Sequence, residues 1–170
     1  MIARLRLFVP PLLIVACLAV LWKAPVRNVR PRDAPGRPVA VLPSPHIPVI
    51  GAHHPPYNSV PPTSGPHVPQ TVAPGVYTQP LAEEIQVHVL EHGHVLIQYG
   101  AGLPPGQLSE LRTVARRHPR DVVLAPYPPI DRGVALTSWG RVARLTTADE
   151  RQIEAFIAAF AGRYVHGWTG

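Results

Sequence analysis

The chain has 170 residues, enough for one domain of ordinary size and too few for several. Its net charge is +6, but residues 1–37 hold seven basic residues and one acid, and from residue 38 onward nine arginines balance nine acids. A nucleic-acid-binding domain needs a basic face of its own, so this balance excludes nucleic acid as a partner. The one cysteine, Cys17, excludes an intramolecular disulfide.

An apolar segment opens the chain, with Arg4 and Arg6 before it and Lys23 after it. The segment spans residues 7–22, and its 16 uncharged residues are slightly short of the usual span of about 17–25. The pattern predicts that residues 1–23 form an uncleaved signal anchor that crosses the bilayer once. The alternatives are a cleaved signal peptide, a buried helix, and a lipoprotein in which Cys17 carries the lipid.

Basic residues on the two sides of this segment give conflicting signals about its orientation. Five Lys and Arg residues follow it and two precede it, which by the positive-inside rule places the domain in the cytoplasm. A signal-like start instead leaves the chain that follows it outside the cell. We expect a single-pass protein of the cell membrane, in contact with the lipid bilayer, whose domain is extracytoplasmic.

Proline is concentrated between residues 25 and 80, and 23 prolines are well above the average usage of about 5%. Residues 24–50 combine proline and arginine without apolar periodicity, which is typical of an extended, semi-rigid spacer. Residues 51–170 are then the predicted folded domain.

The loop over residues 55–67 places polar side chains between prolines that restrict the backbone. Five of its residues could have a functional role: Tyr57, Asn58, Thr63, Ser64 and Gly65. The hydroxyls lack the G-x-S-x-G context of an activated nucleophile. We therefore predict a turn-rich strap across the domain surface, and no catalytic residue.

Regular periodicity begins after this loop. A helix from Pro80 is ended by Gly93, a second runs from Pro104 to before Pro119, and the last starts at a capping box formed by Thr147 and Glu150. Strands are predicted over residues 94–99, 121–125, 134–139 and 142–145. The order α-β-α-β-β-β-α predicts an α/β (α+β) fold, a small two-layer sandwich with a mixed sheet. A thioredoxin-like topology is one candidate.

Histidines supply the pattern closest to a chemical site. His88 and His92 lie one helical turn apart on the same face, and Glu91 lies beside them. Imidazole suits zinc or copper, so these residues predict a transition-metal site with a further ligand from His67 or from the His53–His54 pair. The alternative is a pair of histidines hydrogen-bonded to backbone in a half-buried helix.

The spacing H-x-x-E-H over residues 88–92 also resembles the inverzincin metalloprotease motif. Such an enzyme needs a downstream glutamate ligand, and Glu150 and Glu154 belong to a helix that its apolar stripe already explains. A metal-dependent hydrolase with Glu91 as general base is therefore the third interpretation, after a metal-binding domain and a non-catalytic envelope interaction or structural domain.

Five short stretches in order resemble the bacterial domain-of-unknown-function family numbered 3105. They are PPTSGPH at residues 61–67, GVY at 75–77, HVLEHG at 88–93, APYP at 125–128 and TSWG at 137–140. The resemblance covers residues 53–167 and implies a membrane-anchored or secreted domain without an assigned reaction. Many members carry a cysteine just before GVY where this chain has Pro74. If that cysteine is a ligand in those members, the form of the site that this chain can keep is one built from histidine alone.

Overall fold

The computed structural model describes residues 34–163, which contain six strands and three helices. In chain order the elements are β1 (Arg37–Pro38), β2 (Gly75–Val76), α1 (Glu83–Glu91), β3 (Val95–Tyr99), α2 (Pro105–Arg117), β4 (Val122–Pro126), β5 (Val134–Ser138), β6 (Arg141–Leu145) and α3 (Glu150–Phe160). The predicted order from the first helix to the last is confirmed. The two-residue strands β1 and β2 were not predicted.

The strands form one mixed sheet in the order β1-β6-β5-β3-β4-β2. Strand β3 runs parallel to β4 and antiparallel to β5, and β2 is also parallel to β4. Strand β6 is antiparallel to both of its neighbours, β5 and β1. The α+β class with a mixed sheet, as predicted from the pattern, is therefore confirmed.

Helices cover both faces of this sheet. On one face, strand residues such as Ile97 and Leu124 pack with Leu111 of α2 and with Phe156 of α3. On the other face, Leu96 and Val123 pack with Val89 and Leu90 of α1. Neighbouring strand residues point to opposite faces, so the apolar runs of β3 and β4 serve two cores. The prediction of two layers is wrong because it counted a single helical layer.

The helix ends follow from local chemistry. Gly93, with φ of 81°, follows the last turn of α1 in a left-handed conformation that favours glycine. The side chain of Asp149 accepts a hydrogen bond from the Gln152 backbone N–H at 3.0 Å and caps α3. The predicted capping box at Thr147 and Glu150 is therefore wrong, because the helix begins one residue after Asp149.

Residues 34–50, here called the N-terminal strap, lie against the domain. The strap contributes β1, and the Val39 N–H donates to the Gly140 carbonyl at 2.9 Å. Farther along, the Leu42 N–H donates to Ser64 Oγ at 3.0 Å. Part of the predicted spacer over residues 24–50 therefore pairs its backbone groups with the domain.

Within residues 34–163, none of the helices combines the length and the apolar character needed to cross a bilayer. The segment predicted to be a membrane anchor, residues 7–22, lies before the described part of the chain.

Candidate metal centre

Helix α1 brings two of the predicted ligands to the face that packs under the N-terminal strap. His88 is buried, and its Nε2 lies 2.9 Å from Nε2 of His92 one turn later. The predicted proximity of these rings, which follows from their spacing of four residues, is confirmed. Glu91 is also buried, with 3% of its surface exposed.

His67 reaches this helix from the loop that precedes β2. Its side chain is fully buried, and its Nε2 lies 2.9 Å from Oε2 of Glu91. The two residues are 24 positions apart in sequence. The contact therefore depends on the packing of the loop against α1.

The N-terminal strap adds a histidine that sequence reasoning assigned to the spacer. His46 forms an isolated parallel bridge with His67, in which the Ile47 N–H donates to the His67 carbonyl at 2.8 Å. The centre of the His46 ring lies 4.9 Å from that of His67 and 5.5 Å from that of His88. This pairing joins segments 21 residues apart, and neither segment shows a local pattern that predicts it.

Four residues thus present one potential ligand atom each within 4.8 Å of one another: His46, His67, His88 and Glu91. A zinc ion with bonds of about 2.0–2.1 Å in a tetrahedron places its ligand atoms about 3.4 Å apart. A modest contraction of the group would therefore enclose one ion. Three imidazoles and a carboxylate are ligands that zinc accepts.

Backbone carbonyls fix the orientation of two of these imidazoles. His67 Nδ1 lies 2.9 Å from the Gly65 carbonyl oxygen, and His88 Nδ1 lies 3.1 Å from that of Gln70. A carbonyl oxygen can only accept, so each Nδ1 carries a proton, and Nε2 is the atom that each ring can offer to an ion. Histidines that bind metals in proteins commonly donate their other N–H in this way.

Burial favours the neutral, metal-binding form of His88. Its removal from water lowers the pKa of His88, and the hydrogen bond to the Gln70 carbonyl offsets part of that shift. The His88 ring is therefore neutral at neutral pH, and a bound ion would take the place of the contact between its Nε2 and His92.

Gly65 explains why the loop can place its carbonyl against His67. Its φ is 128°, and a Cβ added there would lie 2.9 Å from the ring of Tyr57. A glycine is therefore required on both counts. The Tyr57 hydroxyl donates to the Pro66 carbonyl at 2.6 Å, and burial raises the pKa of Tyr57 well above its ordinary value, so this donor stays protonated.

The other loop residues hold the N-terminal strap. Ser64 Oγ accepts from the Leu42 N–H, and Asn58 Nδ2 donates to the Ala40 carbonyl at 2.8 Å. Thr63 and Ser64 have no exposed surface, and all of residues 61–67 are buried. The predicted position across the domain surface is therefore wrong for this part of the loop, whereas residues 55–60 are mostly exposed. Its polar groups bond to neighbouring backbone, which gives them a structural role.

Three histidines that were candidate ligands do not join the group of four. His53 is exposed, and His54 Nδ1 lies 2.7 Å from the Pro55 carbonyl oxygen, with its ring against Tyr57. His92 is exposed and contacts the group through His88.

Comparison with known proteins gives a family and no relative of established function. A family model described as Protein of unknown function (DUF3105) matches residues 52–167, which confirms the resemblance carried by the five sequence motifs. No curated protein and no solved structure matches the chain. The match contains three of the four clustered residues and begins after His46.

Proposed function

The chain belongs to the DUF3105 family of proteins of unknown function, and we propose that its domain binds one transition-metal ion through His46, His67, His88 and Glu91. The observation that carries this proposal is the convergence of four ligand atoms within 4.8 Å. Two of the imidazoles have their Nδ1 atoms bonded to carbonyls, so Nε2 is the atom that each can offer to an ion.

The donor set favours a divalent ion of intermediate softness. Met1 and Cys17 are the chain's one methionine and one cysteine, so residues 34–163 offer no sulfur ligand. Copper(I) prefers such soft ligands, whereas imidazole and carboxylate suit zinc(II) and copper(II). Zinc is the ion we propose, with copper(II) as the alternative.

We propose that the domain binds the ion and does not use it to catalyse hydrolysis. A general base must be free to take a proton from water, whereas Glu91 lies at 2.9 Å from His67 inside the group of potential ligands. A groove of about 440 Å³ elsewhere in the domain is lined by other residues, among them Arg132 and Arg144. The alternative is a domain with a non-catalytic interaction or structural role in the cell envelope.

We further propose that residues 1–23 anchor the domain in the cell membrane, on the extracytoplasmic side. The support is the uncharged segment of residues 7–22 and its charged flanks. The protein should then stay in the membrane fraction at high salt, and protease added to spheroplasts should digest the domain. Digestion only after lysis would reverse the orientation, and loss of membrane attachment in Cys17→Ala would indicate lipidation.

A thioredoxin-like core is our proposal for the finer topology. Its support is the β3-α2-β4 unit with parallel strands, followed by the antiparallel pair β5 and β6 and by α3. Helices α2 and α3 pack on the same face of the sheet. The proposal concerns the fold alone, since a redox dithiol needs two cysteines and the chain has one.

Elemental analysis tests the metal proposal. The full chain, expressed without a histidine tag and purified in detergent, should contain about one zinc or copper per chain, as a single site requires. His67→Ala should lose the metal, because it removes a ligand that has no exposed surface. His53→Ala is the matched control and should keep it. A wild-type chain without metal, and unable to bind added zinc, would support the interaction domain instead.

A further inference from the structure

The four residues of the candidate centre are not held alike, and from this difference we infer that His46 is an exchangeable ligand. The bound ion would release this one coordination position to an incoming nitrogen or oxygen donor, such as a free imidazole, while His67, His88 and Glu91 keep the ion. The inference rests on the proposed metal site. It adds to that site an activity, the acceptance and transfer of a metal ion by ligand exchange.

Three of the ligands belong to the rigid interior of the domain. The exposed fractions of His67, His88 and Glu91 are 0%, 6% and 3%. The Nδ1 atoms of both histidines are bonded to carbonyls, and Glu91 lies on α1 beside the core residues Val89 and Leu90. Moving any of these three side chains away from the ion would disturb buried packing.

His46 differs in each of these respects. It is exposed, and within residues 34–163 its ring makes contacts with the rings of His67 and His88 but no hydrogen bond. Outer hydrogen bonds orient a histidine toward its metal and strengthen its binding. The His46 imidazole has no such support, so it is the ligand that costs least to release.

The backbone around His46 can also move at low cost. Two backbone hydrogen bonds pair it with the loop, from the Ile47 N–H to the His67 carbonyl and from the His67 N–H to the Pro45 carbonyl. Three apolar residues of the same segment bury little surface, since Val41, Val49 and Ile50 are 58%, 61% and 54% exposed, while Leu42 and Ile47 are half-buried. Segments with few buried apolar contacts open locally at small free energies.

The exchange itself is balanced. The bond between the ion and a His46 nitrogen breaks, and a lone pair of the incoming ligand forms the new bond. The ion keeps its oxidation state and its number of donor atoms, and the neutral imidazole of His46 turns toward solvent. Three buried ligands prevent the ion from leaving until the incoming molecule supplies further donors.

The test uses the full chain in detergent with cobalt(II), whose visible spectrum reports the number and kind of its ligands. His46→Ala should keep about one equivalent of cobalt with affinity lowered on the order of 10–100-fold. Added imidazole should change its spectrum and restore the affinity by filling the vacant position. In the wild type, imidazole that replaces His46 leaves the kind and number of ligands the same, so the spectrum should stay nearly unchanged. His67→Ala should lose cobalt, and His53→Ala should match the wild type.

Two results would overturn the inference while leaving the proposed site in place. They are complete loss of cobalt from His46→Ala, as in His67→Ala, and binding by His46→Ala that imidazole does not alter. A wild-type chain that binds neither cobalt nor zinc would instead overturn the site itself.

Discussion

Two hydrogen bonds to carbonyl oxygens determine which nitrogens of the candidate centre can bind a metal. By accepting from Nδ1 of His67 and His88, the carbonyls of Gly65 and Gln70 leave Nε2 of each ring as the ligand atom. The same two nitrogens contact Glu91 and His92. At the residue scale the centre is therefore arranged by its supporting bonds as much as by its ligands.

Replacing Glu91 with glutamine separates the metal site from the packing around it. The amide keeps the shape of the carboxylate and can still hydrogen-bond to His67 Nε2, so the metal-free protein should change in stability by no more than about 1 kcal/mol. Zinc affinity, measured by competition with a chelating indicator, should fall because a neutral amide oxygen is a weaker ligand than a carboxylate. Unchanged zinc affinity in Glu91→Gln would exclude this residue from the site.

His94 should make the stability of the metal-free protein depend on pH. Burial lowers the pKa of His94, and the nearby Asp121 and the hydrogen bond to the Arg120 carbonyl offset part of this shift. A histidine in the unfolded chain has a pKa of about 6.5. Below that pH the unfolded chain binds a proton that the folded chain does not bind, so the free energy of unfolding falls as the pH drops.

The thermal midpoint of the chelator-treated chain should therefore decrease from about pH 7.5 to about pH 5.5. His94→Gln should reduce the decrease without removing it, because burial also lowers the pKa of His88. A decrease that is equal or larger in His94→Gln would contradict the contribution assigned to His94.

At the element scale, a stripe of apolar residues buries one side of α3 against the sheet. Ile153, Phe156 and Ile157 belong to the core between α3 and the sheet, and Phe156 has no exposed surface. Removing so large a buried ring loses its burial and leaves a cavity.

Phe156→Ala should therefore lower the free energy of unfolding by about 3–5 kcal/mol, measured by denaturant titration. Val60→Ala, at a residue that is 52% exposed, is the control and should change it by no more than about 0.5 kcal/mol. A loss below about 1 kcal/mol in Phe156→Ala would show that the ring is not core.

Elements that depend on local pattern could be predicted from the sequence, and elements that depend on distant pairing could not. The three helices and β3 to β6 follow from apolar spacing, prolines and Gly93. Strand β1 has two exposed residues and exists because β6 pairs with it across about a hundred residues. Proline-rich composition is typical of a spacer whether or not its backbone pairs with a domain. Composition alone therefore does not predict the contacts of the N-terminal strap.

The residues of the candidate site also fall into those that local pattern predicts and those that depend on distant pairing. His88, Glu91 and His92 share a helical face, so their proximity follows from sequence spacing. His67 was predicted as a ligand because it is a histidine in a restrained loop, whereas His46 enters through a backbone bridge that no local pattern indicates. His53 lies closer to the loop in sequence, yet it is exposed and stays outside the group.

At the scale of the whole molecule, the N-terminal strap connects the proposed anchor to the metal centre. Chain leaving the predicted membrane segment passes through β1, then Leu42 and His46, before it enters the region that the family model matches. A metal bound by His46 would fasten this connection to α1. The candidate site therefore lies where the proposed tether would meet the domain.

X-ray absorption at the zinc edge tests the central claim most directly. The full chain loaded with zinc should show a first shell of nitrogen and oxygen at about 2.0–2.1 Å, with scattering from about three imidazoles and no sulfur. His67→Ala should not yield this spectrum. A zinc-loaded wild-type chain whose spectrum lacks imidazole scattering, or shows a single imidazole, would contradict a centre built from His46, His67, His88 and Glu91.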